Sequence, residues 1–443
     1  MQQKLFSGQR VLVMGLGLHG GGVATVQWLV KHGAQVTVTD LKTRVSLTPS
    51  IKQLASLDIS YVLGGHRLRD FTSTDIVIQN PGVPRESKFL AAARAAGVPI
   101  ENDATLFFKY CQGQIVGVTG TRGKSTTAAL IYELLKQDYQ TWLAGLPEKP
   151  MLGIVDRVAD GDVVVLELSS WQLELLGKQQ LSPEVAVVTN MLPDHLNRYR
   201  LMSEYARAKE QIVRYQSASD VAVLNRDDAV VKNFAKHARH TRAAVVWFSK
   251  KQRTPLVRHL KLTGEHNMHN ARAAIAVAQQ YGVSASHIIA GLKRFTGLPL
   301  RFELIRKKSG VAYINDTTAT TPDATMAALA QCNNKSVVLI AGGTNKGIPA
   351  AKFKALASVI DKKCRAVVLF PGEGSVQLLT ALRLFKPRHV VTNVSTMSDA
   401  IGLARTLAKA GDSVVLSPAC ASFNMFVHEY DRGEQFNQIV RRL

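Results

Sequence analysis

Cysteine is scarce and scattered in this chain. Its four cysteines, Cys111, Cys332, Cys364 and Cys420, form no C-x-x-C pair. That argues against a disulfide or zinc framework and fits a reducing cytoplasm. Long apolar runs are also missing. None approaches the ~18 residues a membrane span needs, so no membrane insertion is expected. The opening "MQQKLFSGQRVLVMG" has no signal-peptide layout and enters a strand directly. Low-complexity segments and a fixed repeat period are absent, which excludes a solenoid. Acidic residues are few, 33 against 55 Lys and Arg, leaving a formal net charge of +22. Such a charge suits nucleic acid, an anionic membrane surface or anionic small substrates. The cations are spread along the chain, with no basic run and no aromatic-rich RNA-binding motif. No specific nucleic-acid partner is therefore expected; a generally basic surface, or one tuned to anionic ligands, is.

What is present is alternation. With 443 residues, 46% hydrophobic and 20% charged, the chain is globular and long enough for two or three domains. Apolar runs of the kind found in strands buried on both faces recur between helical stretches. "RVLVMG", "AQVTVTD" and "TDIVIQNPG" form one series; "QIVGVTG", "DVVVLELSS", "EVAVVTNM" and "DVAVLN" a second; "GVAYIND", "KSVVLIAGG", "RAVVLFPG" and "DSVVLSPA" a third. Three series predict three α/β units, with boundaries near Asn102 and Gly297. The second boundary rests on "FTGLPLRFE", where Gly297 and Pro299 interrupt the pattern.

Two glycine loops carry the chemistry. "VLVMGLGLHGGG" holds Gly15-x-Gly17-x-x-Gly20 between a strand and a helix, and Asp40 ends the next strand. Such glycines let backbone N–H groups approach a diphosphate at a helix N-terminus, and the acid can bind a ribose hydroxyl. On this motif alone a nicotinamide dehydrogenase, another diphosphate binder and a ligand-free turn all stand. "GVTGTRGKST" ends like a phosphate-binding loop in Gly123-Lys124-Ser125, but the usual upstream glycine is replaced by Val118. Lys124 can reach β- and γ-phosphates, and a Ser125 or Thr126 hydroxyl can ligate Mg²⁺. The alternative is a glycine turn with a surface lysine. Glu167 and His195 follow other strand ends, in the crevice where such sheets bind ligands.

These blocks resemble the Mur ligase family, which joins amino acids to a cell-wall nucleotide precursor. "GTRGKST" is similar to the family's shorter loop, G-T-N-G-K-[ST], with Arg122 where Asn is usual. "ELSSWQLE", "DHLNRY" with "EYARAK", "GEHNMHNARAA", "GLPLRFE" and "LSPACASFNMF" resemble further family blocks, in family order along essentially the whole chain. The resemblance implies three domains: a Rossmann-like N-terminal domain (1–102) for the UDP substrate, a P-loop-type ATPase with a mostly parallel sheet (103–297), and a Rossmann-like domain for the amino acid (298–443). It implies a cytoplasmic ligase, acting as a monomer, that adds D-glutamate to UDP-N-acetylmuramoyl-L-alanine through an acyl phosphate, using ATP and two Mg²⁺.

By the same resemblance, Gly120, Thr121, Arg122, Gly123, Lys124, Ser125 and Thr126 hold the ATP phosphates. Asn267 and Asn270 face the base, and Arg301 and Asp316 the phosphates and ribose. Ser125 and Glu167 hold one metal; His195 and a carbamylated Lys209 serve the second. Without the resemblance, Lys209 beside Glu210 on an amphipathic helix reads as a solvated surface residue. Gly15, Leu16, Gly17, Leu18, His19, Asp40, Asn80, Pro81, Gly82, Ser169 and Gln172 are expected at the UDP substrate. Thr320, Lys346 and Ser422 are expected at the glutamate. Departures gather at that last end: Thr318 stands where the family has Lys, and Glu429 where an aromatic is typical. The family's Asn is missing from "LAGLPEKP", Thr105 replaces a Glu, and His19 a small hydroxyl residue. They keep open a ligase for L-glutamate or another amino acid, and a nucleotide-binding homologue without turnover.

Overall fold

A computed structural model of the chain describes residues 4–84, 86–194, 198–385, 390–392, 394–422 and 425–443. The chain divides into two compact units, 1–296 and 297–443.

The first unit holds two parallel sheets. One comprises β1 (Arg10–Met14), β2 (Gln35–Asp40), β3 (Ser60–Leu63), β4 (Ile76–Gln79) and β5 (Ile100–Glu101), in the order β3-β2-β1-β4-β5. The strand order reverses at β1, so the first glycine loop leaves the sheet at its switch point. The other comprises β6 (Gln114–Thr119), β7 (Thr141–Ala144), β8 (Val163–Glu167), β9 (Val185–Val188), β10 (Val221–Asn225) and β11 (Ala244–Phe248). Its order is β11-β10-β9-β6-β8-β7, with β6 between β9 and β8. The loops after β6, β8 and β9 therefore open side by side at one end of the sheet.

Central strands are apolar on both faces because helices cover both; β9 is buried throughout. Asn102, where a domain boundary is expected, is the N-cap of the helix Asp103–Tyr110. Its side chain accepts from Thr105 N–H, and Thr105 Oγ1 accepts from Asn102 N–H. One apolar core runs across this point, joining Val13 and Trp28 to Phe107, Val164 and Leu224. Polar ties reinforce it. Asp156 accepts from Trp28 Nε1 at 2.8 Å and bonds His32 Nε2 at 2.9 Å.

The second unit is a mixed sheet of β12 (Glu303–Lys308), β13 (Val311–Asn315), β14 (Val337–Gly342), β15 (Cys364–Phe370), β16 (Val390–Val391) and β17 (Ser413–Leu416). Its order is β12-β13-β17-β14-β15-β16, with β12 antiparallel at one edge and the other pairs parallel. Separate apolar clusters pack its two faces, around Phe436 and Ile401 on one and Phe353 and Leu378 on the other. Among the described residues no helix is long and apolar enough to cross a membrane.

Candidate active site

The second glycine loop is shaped by its neighbour across the sheet. Gly120 has φ 143°, and a Cβ there would lie 1.9 Å from Thr189 Oγ1; only glycine fits. The exit of β9 then clamps the loop. Thr121 N–H donates to Asn190 O at 2.9 Å and Arg122 N–H to Asn190 Oδ1 at 2.9 Å. Arg122 O accepts from Thr189 Oγ1 at 2.7 Å and from Asn190 Nδ2 at 3.0 Å. Gly123, left-handed at φ 81°, is the N-cap of the helix Lys124–Leu135 and supplies no capping side chain. The first-turn N–H groups carry the positive end of the helix dipole and suit an anion.

Three side chains converge here. Lys124 Nζ lies 3.8 Å from Glu167 Oε1 and donates to Thr121 O at 3.4 Å. Glu167, at the end of β8, keeps its other oxygen buried with no hydrogen-bond donor among the described residues. Lys209 is no surface lysine: it is 2% exposed, on the inner face of the helix Met202–Arg214, and its Nζ donates to Thr119 Oγ1 at 3.2 Å. Burial, reinforced by the charge of Lys124, drives its pKa well below the ordinary lysine value, against the pull of Glu167 and Asp194. That direction favours the neutral, nucleophilic form of the amine. The surface reading assigned it the wrong face because helical spacing alone does not say which stripe meets the sheet.

A buried carboxylate oxygen of Glu167 and the hydroxyl of Ser125, buried on the first helical turn, are the oxygen donors Mg²⁺ takes when phosphates complete its shell. Among the described residues no cluster of three or more His, Cys, Asp or Glu could hold a metal. His195 lies outside the described residues. Asp194 pairs with Arg122 at 3.5 Å. Thr126 is half-buried in the first turn. Asn270 packs against Gly123, where a Cβ would come 2.4 Å from its Oδ1, so it stands against the loop itself. Asn267, one turn earlier, is half-buried and donates to Thr263 O at 2.8 Å.

At the first glycine loop, Asp40 serves the loop's shape. Its Oδ2 accepts from Leu16 N–H at 2.9 Å and Gly17 N–H at 3.3 Å, and its Oδ1 from Lys42 N–H at 2.9 Å. Asn80 Nδ2 ties Gly15 O at 2.9 Å, and Asn80 Oδ1 accepts from Gly82 N–H beyond Pro81. Gly20, left-handed, again leaves a helix start, Gly21–Lys31, without a capping side chain. Leu18 is half-buried and His19 exposed beside it. Ser169 and Gln172 form a capping box on the helix Ser170–Lys178, and Gln172 Nε2 reaches both oxygens of Asp103 at 3.1 and 3.0 Å. That residue pair fixes where the helix begins.

In the second unit, Arg301 lies between Leu300 and Phe302, both left-handed at φ 62° and 49°. Carboxylates hold this costly backbone: Leu300 N–H donates to Glu303 Oε2 at 2.8 Å and Phe302 N–H to Asp316 Oδ1 at 3.1 Å. Asp316 also accepts from Ser417 Oγ at 2.8 Å, and burial raises its pKa to about 7. Loop pairing gathers the three expected glutamate residues. Thr344 and Ala421 exchange backbone hydrogen bonds at 3.0 and 3.1 Å, joining the loops of Lys346 and Ser422. Ala419 N–H donates to Ala319 O at 2.8 Å, bringing in the loop of Thr320. Lys346 is exposed, while Ser422 Oγ is buried with no hydrogen-bond partner among the described residues. Thr318 Oγ1 donates to Leu300 O at 3.3 Å. The sequence reading missed Thr189 and Asn190, which shape the phosphate loop, and the buried Arg432. A lone arginine on an apolar helix face was the available signal for Arg432.

Family models match three stretches: a Mur ligase MurD-like N-terminal domain over residues 9–102, a Mur ligase middle domain over 118–259, and a Mur ligase glutamate ligase domain over 300–420. A UDP-N-acetylmuramoylalanine--D-glutamate ligase of Roseiflexus is 41% identical, covering 98% of both chains. One from Geobacter metallireducens is 35% identical over 99% of this chain and 98% of its own. In solved structures the fold matches the UDP-N-acetylmuramate-alanine ligase of Thermotoga maritima, with TM-score 0.66 and 21% identity over 98% and 99% of the two chains. It also matches a MurF ligase of Thermotoga maritima solved with ADP, at TM-score 0.58 and 18% identity over 99% and 96%. A phosphate loop of the short form, a carboxylate and a buried lysine beside it, and full-length relatives at this identity together place the chain in the Mur ligase family.

Proposed function

We propose that this chain is the ATP-dependent ligase that joins D-glutamate to UDP-N-acetylmuramoyl-L-alanine in peptidoglycan precursor synthesis. The observation that carries the reading is the meeting of Lys124, Glu167 and the buried Lys209 at an uncapped helix start. A carboxylate is a poor electrophile, so amide formation requires one of its oxygens to become a leaving group. The acceptor's alanyl carboxylate attacks the γ-phosphorus of ATP, ADP leaves, and an acyl phosphate forms. The glutamate amine then attacks the acyl carbon and phosphate departs. Catalysis of this kind is positioning and charge neutralisation.

Lys124 and the first-turn N–H groups hold phosphate oxygens. Ser125 and Glu167 would hold one Mg²⁺, and His195 with Lys209 a second; bound there, the ions supply positive charge to the transferred phosphoryl group. Lys209, with its pKa lowered, adds CO₂ through the neutral form of its amine, gives up a proton to solvent, and becomes a carbamate, an anionic oxygen ligand. The bare helix start after Gly20 suits the diphosphate of the UDP substrate. Thr320, Lys346 and Ser422 receive the glutamate, in the cytoplasm where ATP and the UDP precursor are available.

Thr318 and Glu429 leave the amino-acid end the less typical half, so the test varies that substrate. Phosphate release is measured with ATP, Mg²⁺, UDP-N-acetylmuramoyl-L-alanine and each glutamate enantiomer. Release that requires the acceptor and D-glutamate is expected. Release with L-glutamate alone would move the reading to a different Mur-type ligase, and no release with any amino acid would leave a nucleotide-binding homologue.

A further inference from the structure

The guanidinium of Arg432 is buried in the second unit, and the reaction above gives it no task. It lies on the first turn of the helix Glu429–Arg442 and is 0% exposed. Its Nε donates to Thr317 Oγ1 at 3.0 Å, its Nη2 to Thr317 O at 2.8 Å and its Nη1 to Cys420 O at 3.3 Å. Every one of these acceptors is neutral. Burial lowers its pKa to about 10, partly offset by the nearby Glu429. Removing a charge from water is costly unless hydrogen bonds replace the solvent. A fully buried arginine therefore marks a place where geometry is being fixed.

What it fixes is the relation of three segments: the turn after β13, the loop after β17 and the start of the last helix. Thr317 closes a ring with the helix, its hydroxyl donating to Glu429 O at 2.8 Å while accepting from Arg432. Gly433 allows the close approach, since a Cβ there would lie 2.6 Å from Thr317 Cγ2. Asn315 Nδ2 adds a bond to Gly433 O at 2.9 Å. Thr317 directly precedes Thr318 and leads into the loop of Thr320. Cys420 stands two residues before Ser422, whose buried hydroxyl has no partner among the described residues and is suited to a ligand oxygen.

We propose that Arg432 is the positioning residue of the amino-acid site: its planar fork locks the Thr317–Thr320 turn and the Cys420–Ser422 turn against the helix start, so that both turns present their side chains to one carboxylate-bearing substrate. A lysine keeps the charge but cannot serve three acceptors in one plane. The inference rests on the ligase reading above and assigns the shape of its amino-acid end.

The test is steady-state kinetics of the full chain with glutamate, ATP and the UDP substrate varied in turn. Arg432→Met is expected to raise KM for glutamate by about 10-fold or more, the scale of a lost charge-assisted hydrogen bond, with KM for ATP within about threefold. Arg432→Lys should fall between the two. If Arg432→Met does not fold, Thr317→Val removes the hydroxyl link at nearly constant volume and should move the glutamate KM in the same direction. An unchanged glutamate KM in the folded variants, or KM values for all three substrates rising together, would overturn the positioning role. A wild-type chain that releases no phosphate with any amino acid would instead remove the ligase reading and this role with it.

Discussion

Lys209 shows how far residue type alone can mislead. On sequence, a lysine next to a glutamate on a helix belongs in water. The fold puts its amine 3.2 Å from Thr119 Oγ1, near Lys124 and Glu167, with almost no exposure. Lys209→Ala should lower turnover by about 10²-fold or more, the scale for a preorganised charge-stabilising group. Added short carboxylates should restore part of it; Lys209→Arg, still cationic, should not respond. Full activity in Lys209→Ala would remove the residue from the site.

Asp316 makes a different kind of prediction. Burial lifts its pKa to about 7 in the fold, against 3.8 for an ordinary aspartate. Below pH ~4 both folded and unfolded chains carry the proton. As pH rises from ~4 to ~7 the unfolded chain releases it first, so this group's contribution to stability falls across that window and levels off above it. Asp316→Asn mimics the protonated acid and cannot ionise. Its unfolding free energy should exceed that of the parent above pH 7 by up to roughly 4 kcal/mol, at ~1.4 kcal/mol per tenfold change in equilibrium. The two should converge near pH 4. Parallel stability curves in denaturant titrations across this range would contradict the assignment.

Among elements, the central strands were legible because parallel strands covered on both faces must be apolar along their length; β6, β8, β9 and β10 announce themselves. Edge elements were not. β3 and β11 are only partly buried, β5 and β16 have two residues each, and β12, "ELIRKK", is charged at four of its six positions and lies antiparallel at the edge. β11, "AVVWF", is apolar throughout and escapes notice only because it is one short run at a sheet edge; the others carry no long apolar run. In the glycine loops, the sequence announced an anion site but not which residues shape it. Asp40, a ribose ligand by analogy, spends its oxygens on loop N–H groups, and Ser169 and Gln172 set a helix start. These backbone-holding roles are not visible in a sequence motif. Gly120→Ala tests the loop as an element. With φ 143° and a Cβ clash at 1.9 Å, the loop must shift away from Thr189, at a strain cost of about 1–3 kcal/mol. Calorimetry with Mg-ATP should show affinity reduced by at least about 10-fold. An unaltered dissociation constant would mean that the loop does not cradle phosphate.

At the scale of the whole molecule, the two glycine loops share a compact unit whose core runs unbroken from β1 to β10, while the amino-acid residues belong to a unit with its own two cores. The family resemblance ordered these parts before any geometry was known, since its blocks occur in sequence along the chain. The surplus of positive charge agrees with substrates that are all anions, a nucleotide, a UDP-linked acid and glutamate. The central claim is that ATP activates the acceptor's carboxylate. It is tested most directly by preparing UDP-N-acetylmuramoyl-L-alanine with ¹⁸O in both alanyl carboxylate oxygens and analysing the products by mass spectrometry. One labelled oxygen should leave in the inorganic phosphate and the other remain in the new amide carbonyl. Unlabelled phosphate, formed at the same rate as the amide or without it, would contradict the account.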